Sequence, residues 1–268
     1  MLSLILAAPL LLASAPAQDR DAEPERPSKE RVEAAVAALT EAFEAFDKEQ
    51  PAPTVGAIQG AAEVRAEEVV AVLARLGMRH ENRDVAMASI TALGLLDHPA
   101  ALKKLHSLSK RDRKKMAKDP DRVIAVVKAI ARHGNPDSIP YLTRDMFQDK
   151  RPSVTHARIV GLGGIRSTRS VEELFHLMRG AARNKVQPYM KDFRLALVVL
   201  TAVDHGHSQD LWMGWWNDNK KNLKVSAKPP VLPKDLQGRW DSYWGNRRKY
   251  VRQKRRGERG DDPQRDDG

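Results

Sequence analysis

The sequence predicts an all-α protein, a solenoid of antiparallel helix pairs that stack in chain order. Its 268 residues are 41% hydrophobic but only 5% aromatic, a composition typical of packed helices rich in small and aliphatic side chains. Apolar residues recur three and four positions apart along most of the chain, which is the spacing of one helix face. The residues before four polar turns lie 37, 32 and 38 positions apart, a period that indicates a solenoid: Leu93, Ile130, Leu162 and Leu200.

Residues 1–17 have the features of a secretory signal peptide. Positions 2–13 are apolar, and Ala15-Pro16-Ala17 supplies the small residues that cleavage after Ala17 requires. The apolar run is shorter than the ~20 residues that cross a bilayer, and no Lys or Arg precedes it. We expect a periplasmic or secreted protein, with an uncleaved hydrophobic extension as the alternative. Residues 18–28, rich in charge and proline, predict a disordered linker.

Residues 29–81 are predicted to form N-terminal capping helices. The first ends before the Pro51-Ala52-Pro53 segment, since proline interrupts a helix. The second is expected to run without interruption over 54–76, where apolar residues keep a helical period. Terminal units of a solenoid depart from the repeat pattern because only one of their faces meets a neighbour.

Residues 82–222 are predicted to form four helix pairs joined by polar turns. Asp84 is the expected N-cap of the first helix. Ser170, with Glu173 three positions on, has the spacing of a capping box for the second helix of the third pair. The second helix of the second pair is expected to carry these apolar residues: Ile139, Tyr141, Leu142 and Met146.

The C-terminal part divides at residue 246. Residues 223–246 contain Pro229, Pro230 and Pro233 and predict an extended linker that leads to a short Trp-containing helix. Residues 247–268 are basic and then acidic, with little that would build a core, and predict a disordered tail.

Several stretches resemble HEAT repeats. Residues 121–142, Asp-Arg-Val-Ile-Ala-Val-Val-Lys-Ala-Ile-Ala-Arg-His-Gly-Asn-Pro-Asp-Ser-Ile-Pro-Tyr-Leu, are similar to a short bacterial HEAT-like repeat of the phycobilisome-lyase type, and residues 153–178 are similar to another. Leu-Thr-Ala-Val-Asp-His-Gly at 200–206, followed by Trp-Met-Gly-Trp-Trp-Asn at 212–217, resembles the Trp-x-x-Trp-Trp closure of some bacterial HEAT-repeat proteins, with Ala202 replacing the usual glycine. The resemblance implies a HEAT/ARM-like superhelix whose usual role is binding or scaffolding.

Candidate chemistry is sparse. Cysteine is absent, which excludes disulfides, thiolate metal sites and cysteine nucleophiles. His205 and His207, beside Asp204 and Asp210, have the residue types of a metal site, but no third ligand follows at a recognisable spacing and a conformational role in a turn is favoured. The glycines within 161–164 end a helix pattern, so close helix packing is favoured over a phosphate loop. No metal site, cofactor or catalytic residue is predicted.

Two sets of aromatic residues share one helical spacing, i, i+3 and i+4. They are Trp212, Trp215 and Trp216, and then Trp240, Tyr243 and Trp244. We expect the two faces to pack on each other and close the open end of the solenoid, which would shield Trp215 and Trp240 from solvent. The alternative is an exposed aromatic platform for a sugar or a peptide.

The formal net charge of +11 is distributed unevenly. Eight basic residues fall among thirteen positions of the tail: Arg247, Arg248, Lys249, Arg252, Lys254, Arg255, Arg256 and Arg259. Five more form an insert between the first two pairs: Lys110, Arg111, Arg113, Lys114 and Lys115. Each group is a candidate anion-binding patch, since dense positive charge attracts polyanions. The alternative for the tail is a solvating extension, partly neutralised by its acidic end.

These features predict a non-enzymatic scaffold of the bacterial cell envelope that binds a protein partner through its solenoid surface. One alternative is a binder of anionic polymer, membrane surface or nucleic acid through the basic insert and tail, although export would make nucleic acid a poor candidate. Another is an enzyme like the HEAT-like lyases and isomerases that act on bilin chromophores, an analogy of fold alone. A monomer is expected.

Overall fold

The computed structural model describes residues 26–111, 118–148 and 150–245, and every regular element in those ranges is a helix. The prediction of an all-α fold is confirmed, and helices pack against their neighbours in sequence order as a solenoid requires. The expected signal peptide, most of the linker, the basic tail and part of the insert lie outside the described residues. Within these ranges, no helix has both the length and the apolar character needed to span a bilayer.

The N-terminal region contains three helices instead of the two expected. They are α1 (Lys29–Glu44), α2 (Ala52–Ala61) and α3 (Glu67–Val72), the last continued by a π-helical turn over Leu73–Gly77. The predicted uninterrupted helix over 54–76 is therefore wrong. Ala66 is extended, with φ −135° and ψ 145°. The break separates α2, which packs on the first helix of the following pair, from α3, which packs beside the second helix.

Four helix pairs follow, as the spacing of apolar residues predicted. The first helices are α4 (Arg83–Leu95), α6 (Pro120–Arg132), α8 (Pro152–Gly164) and α11 (Met190–Thr201). The second helices are α5 (Pro99–Arg111), α7 (Ile139–Thr143), α9 (Thr168–Gly180) and α12 (Gln209–Asn219). A one-turn helix, α10 (Arg183–Val186), links the third pair to the fourth.

Two predicted caps are displaced by a few residues. Asn82 caps α4, and its side chain accepts hydrogen bonds from the backbone N–H groups of Asp84 and Val85. Ser167 caps α9 and accepts from the N–H of Ser170, which lies inside the helix and donates its hydroxyl to the carbonyl of Ile165. In both cases the polar side chain nearer the preceding turn reaches the free N–H groups first.

The first helices of successive pairs stack almost backbone to backbone. A Cβ added at Gly94 would lie 2.6 Å from Ala129 Cα, and one added at Gly163 would lie 3.0 Å from Ala196 Cα. The glycines at the end of α8 therefore serve close helix packing, as expected. This layer of α4, α6, α8 and α11, hereafter the first-helix layer, forms the centre of a continuous core that includes Ile130, Leu162 and Leu200.

The C-terminal helix α13 (Lys234–Trp244) packs on the first-helix layer. Arg239 donates to the backbone carbonyl of Lys191 on α11, and the Tyr243 hydroxyl donates to the carbonyl of Ala157 on α8. Only Leu236 and Tyr243 of α13 are buried. The helix is thus docked on a finished layer and adds no further pair to the array.

Candidate functional site

The second helix of the second pair is broken, and the break creates the largest cavity that we describe. A 3₁₀ turn at Pro136–Ser138 leads into α7, which ends at Thr143, and a second 3₁₀ turn follows at Met146–Gln148. Asp145 between them adopts a left-handed backbone with φ 53°. The helix expected to carry these apolar residues is therefore interrupted, although Ile139, Leu142 and Met146 are all buried. The 32-residue spacing of this pair, against 37 and 38 for its neighbours, leaves too few residues for a full second helix.

The resulting cavity has a volume of about 870 Å³ and an apolar floor. The floor is formed by one face of α6, whose side chains belong to the core: Val123, Val126, Val127 and Ile130. The rim is strongly basic and carries Lys110, Arg144, Lys150, Arg151 and Arg158. We call this site the basic cavity.

The cationic rim is partly exposed to solvent. Lys110, Arg144 and Lys150 are exposed, whereas Arg151 and Arg158 are half-buried. Asp145 is the single carboxylate among the described residues that line the cavity. Among the described lining residues, five cations outnumber one anion, which favours a positive potential, and a concave wall of low dielectric constant strengthens that potential.

Hydrogen bonds and ring contacts orient part of this rim. Arg158 Nη1 donates to the carbonyl oxygen of Arg144 at 3.2 Å, which ties the rim to the broken helix. The Lys110 ammonium lies 5.2 Å from the centroid of the Tyr141 ring. That distance permits a cation–π attraction, which holds the end of α5 against α7.

A neutral histidine lies behind the Lys110 side of the rim. His106 stacks on Tyr141 with ring centroids 3.8 Å apart, and its Nε2 is 2.9 Å from the Ser138 hydroxyl. Burial, with the nearby His133 and Lys110, lowers the pKa of His106 to about 4. The ring is therefore uncharged near neutral pH, and it supports Tyr141 without adding to the positive charge of the cavity.

Only one member of the predicted basic insert is placed at this site by a described side chain. Lys110 lines the rim. Arg111 ends α5, and Arg113, Lys114 and Lys115 lie outside the described residues, as do all eight predicted anion-binding residues of the tail.

Four rim residues were missed from the sequence: Arg144, Lys150, Arg151 and Arg158. A signal for them exists, because basic residues are frequent over 144–158, the stretch that contains the shortened repeat. That stretch also joins the second pair to the third. The sequence alone does not show that residues on either side of this junction line one cavity, because their proximity depends on how the two pairs stack.

The first aromatic set completes the end of the second-helix row. Phe175 of α9 stacks on Trp216 at 4.7 Å between centroids and also contacts Trp212 and Trp215. Trp212 is 0% exposed and donates its indole N–H to the carbonyl of Gly206. Trp215 is half-buried. This set is therefore largely core.

The second aromatic set lies on the opposite side of the pairs, against the first-helix layer. Tyr243 is buried, whereas Trp240 and Trp244 are half-buried. Lys128 lies 4.8 Å from the Tyr243 ring centroid, and the Arg132 guanidinium lies 5.2 Å from that of Trp244. Among the ring contacts of the described residues, none joins this set to the first. The expectation that the two faces pack on each other is wrong.

The carboxylates near His205 form ion pairs with arginines. Arg194 donates two hydrogen bonds to Asp204, at 2.8 and 2.6 Å, and this pairing lowers the pKa of Asp204. Asp210 pairs with Arg183 at 3.0 Å. His205 lies with its ring edge toward Trp212. In the described part of the chain, no cluster of three or more His, Asp or Glu residues has the geometry of a metal site.

The chain was compared with models of protein families and with curated proteins, and neither comparison found a match.

Proposed function

We propose that this chain is a non-enzymatic, HEAT-like binding protein that takes up an acidic segment of a protein partner at the basic cavity. One observation carries the proposal: a rim with five cationic side chains surrounds an apolar floor in a cavity of about 870 Å³. Such a cavity matches the chemistry of an acidic, partly apolar chain segment.

The floor and the rim have separate roles in this proposal. The floor, at Val126, Val127 and Ile130, would receive one or two apolar side chains of the partner, and burial of apolar area supplies most of the affinity of such contacts. The exposed rim cations, Lys110, Arg144 and Lys150, would pair with carboxylates on either side. Charge complementarity of this kind sets specificity and speeds association, and its effect falls as salt rises.

The side chains of the basic cavity favour binding over catalysis. Its described lining has cations, one carboxylate and the hydroxyls of Ser109 and Tyr141. Within the described residues, neither hydroxyl makes a hydrogen bond with a histidine or carboxylate that could act as its base, and such a pair is the usual signature of a nucleophilic enzyme. A bilin lyase activity is the competing proposal, and the absorbance spectrum of the chain purified from its native cells would reveal a bound chromophore.

The test is a titration of the full mature chain into a labelled peptide of alternating Glu and Leu. Binding is measured by the fluorescence anisotropy of the peptide. The double variant Arg144→Glu, Lys150→Glu reverses two exposed rim charges. We expect it to weaken binding by at least about tenfold, which corresponds to about 1.4 kcal/mol. The matched control is Lys220→Glu, Lys221→Glu, which makes the same charge change at exposed positions beyond α12.

Two comparisons decide the outcome. Equal weakening by the rim variant and the control would mean that net charge alone attracts the peptide, and the proposal would fail. A peptide with Leu replaced by Ser keeps the charge but loses the apolar side chains. If it binds as tightly as the original, the floor of the cavity has no role.

A second candidate function is binding of an anionic polymer, and the placement of Lys110 on the rim favours it. The tail at 247–259 would contribute its eight basic residues. Full engagement of eight residues with duplex DNA as a test polyanion would give a slope of log K against log salt of about −7. Retention on heparin should decrease in a chain that ends at Gly245. Equal retention of both chains would exclude the tail as the polyanion-binding segment and would leave the rim of the basic cavity as the binding site.

Export to the cell envelope is part of the proposal. It is supported by the apolar run at 2–13 and the small residues before position 18. Amino-terminal sequencing of the chain from its native cells should give Gln18 as the first residue. A chain that retains residues 1–17 in the cytoplasm would contradict export and would readmit nucleic acid as the anionic partner.

A further inference from the structure

A second cavity, of about 610 Å³, lies between α13 and the first-helix layer. One wall comes from α13: Asp235, Gly238, Arg239, Asp241, Ser242 and Tyr243. The facing wall comes from α6, α8 and α11: Ile124, Lys128, Ser153, His156, Ala157 and Leu195. We call it the α13 cavity. It shares no described lining residue with the basic cavity, because α6 and α8 present different faces to the two sites.

A buried carboxylate joins the two walls. Asp192 of α11 is 5% exposed, and its Oδ1 lies 2.7 Å from His156 Nδ1 on one wall and 2.8 Å from Arg239 Nη2 on the other. The Nδ1 of His156 donates in this contact because Asp192 is an acceptor when ionised. The Nε2 atom of the same ring remains available to a molecule in the cavity. The two contacts fix His156 and Arg239 in position before any ligand binds.

Lys128 is the cation of this cavity that has no carboxylate partner among the described residues. Its ammonium lies 4.8 Å from the Tyr243 ring centroid, and burial lowers its pKa. The two lining aspartates are already engaged: Asp235 pairs with Arg194 at 3.2 Å, and Asp241 accepts from Gln237 at 2.9 Å. Asp241 keeps its negative charge, because a neutral amide does not compensate it, so the positive charge without an ionic partner is confined to the Lys128 end of the cavity.

Hydroxyls and apolar surface complete the site. Ser153 and Ser242 line opposite walls, and neither hydroxyl has a hydrogen-bond partner within the described residues. The half-buried Ile124 supplies apolar surface, and the buried Ala157 and Leu195 lie beneath the cavity wall. A volume within about 300–1,000 Å³, with a few converging polar groups, is typical of a small-molecule site.

We propose that the α13 cavity binds a small organic anion, with its carboxylate or phosphate group at Lys128 and its apolar part against Ile124 and Leu195. Ser153 and Ser242 donate to the anionic oxygens, and His156 Nε2 contacts a polar substituent. The site is separate from the basic cavity and does not rest on the function proposed above. Because α13 forms half of the lining, bound ligand holds this helix on the first-helix layer.

The experiment is isothermal titration calorimetry of the full mature chain with phenyl phosphate and with phenylacetate. These probes share an aromatic body and differ in the anionic group, so they separate a phosphate ligand from a carboxylate. Saturable one-site binding of at least one probe is expected. Lys128→Gln removes the proposed anion partner and should weaken that binding by at least about tenfold. Lys221→Gln at an exposed position is its control.

A second pair of variants tests the location without removing any native side chain. A Cβ at Gly238 or at Gly214 meets no atom within 4 Å, so both sites accept a side chain, but only Gly238 lines the cavity. Gly238→Glu places volume and negative charge in the site and should abolish probe binding, whereas Gly214→Glu on α12 should leave it unchanged. Binding of neither probe, or equal binding by the two glutamate variants, would overturn the proposal.

Discussion

The two aromatic sets have the same spacing and different structural roles. Trp212, Trp215 and Trp216 pack on Phe175, an apolar ring supplied by the neighbouring second helix. Trp240, Tyr243 and Trp244 instead meet the backbone of α8 and two cations of α6. The spacing i, i+3 and i+4 therefore defines a face of a helix, but the residues opposite that face decide whether it becomes core or a docking contact.

This difference has an energetic meaning. The first set is continuous with the core of the array, so its loss should destabilise the neighbouring pairs as well. The second set belongs to a helix with two buried residues and several polar contacts, so its loss should release α13 and leave the array folded. We expect α13 to open at a lower free energy than the rest of the chain.

The largest expected effect is that of Trp212→Ala. Truncation of a fully buried Trp costs about 3–5 kcal/mol. Trp244→Ala should cost less than about 2 kcal/mol of global stability, because the half-buried ring has less area to lose. Urea unfolding followed by far-UV circular dichroism measures both. Equal costs would mean that α13 and the array unfold as one unit.

A smaller and more local effect is expected from Gly164→Ala. The new Cβ would lie 3.1 Å from Trp244 Cζ2 and 3.4 Å from the carbonyl of Ala131. Overpacking of this kind costs about 1–3 kcal/mol, and the ring is the part that can move. Hydrogen exchange should accelerate in α13 and remain unchanged in α4. Gly180→Ala is the control, because a Cβ there meets nothing within 4 Å; similar acceleration in both variants would contradict this account.

Alkaline pH should also loosen α13, through Tyr243. Burial raises the pKa of this phenol far above its usual value of about 10. The neutral phenol is therefore favoured in the folded state, and its stabilising contribution is complete below pH ~10. Above that pH the unfolded or undocked chain ionises first and the contribution declines, by about 1.4 kcal/mol per pH unit.

Tyr243→Phe isolates this dependence. The variant loses one hydrogen bond, worth about 1 kcal/mol at neutral pH. It should show less acceleration of α13 exchange between pH 9 and 11 than the native chain, after the intrinsic pH dependence of exchange is subtracted. If the difference in α13 exchange rate between the variant and the native chain stays constant from pH 9 to 11, a group other than Tyr243 controls the docking of α13.

The smallest effect concerns fluorescence. Trp212 and Trp216 are buried, whereas Trp215, Trp240 and Trp244 are half-buried, so the predicted shielding of Trp215 and Trp240 is only partial. Iodide should quench a fraction of the emission. Replacing Trp240 and Trp244 by Phe should lower the quenchable fraction without changing the Trp212 environment. Complete quenching at the level of free tryptophan would contradict the packing of both sets.

The sequence predicted those features that depend on local periodicity. Four pairs were found because apolar spacing and turn residues repeat within each unit. The break at Ala66 was missed because Ala62 and Val69 keep the same helical phase on either side of it. The caps were misplaced by a few residues because neighbouring polar side chains compete for the same N–H groups.

The basic cavity and the position of α13 depend on contacts between distant residues. The broken second helix was missed because the left-handed residue within it, Asp145, is not a glycine that would mark the position in the sequence. Arg158 joins the rim only through the stacking of α8 on α6. Likewise, α13 docks where Gly161 and Gly164 leave room for Tyr243 and Trp244, a match between surfaces that no single stretch of sequence encodes.

The close stacking of the first helices has a mechanical consequence. Gly94 and Gly163 bring backbones together with no side chain between them, whereas rings fill the gap between second helices, as with His106 and Tyr141 or Phe175 and Trp216. Each pair is thus a wedge that is narrow at the first helix. Backbone contacts resist sliding because neither surface can adapt, but stacked rings can shift past each other at little cost. When the array bends, we expect the second helices to move relative to one another and the first helices to keep their contacts.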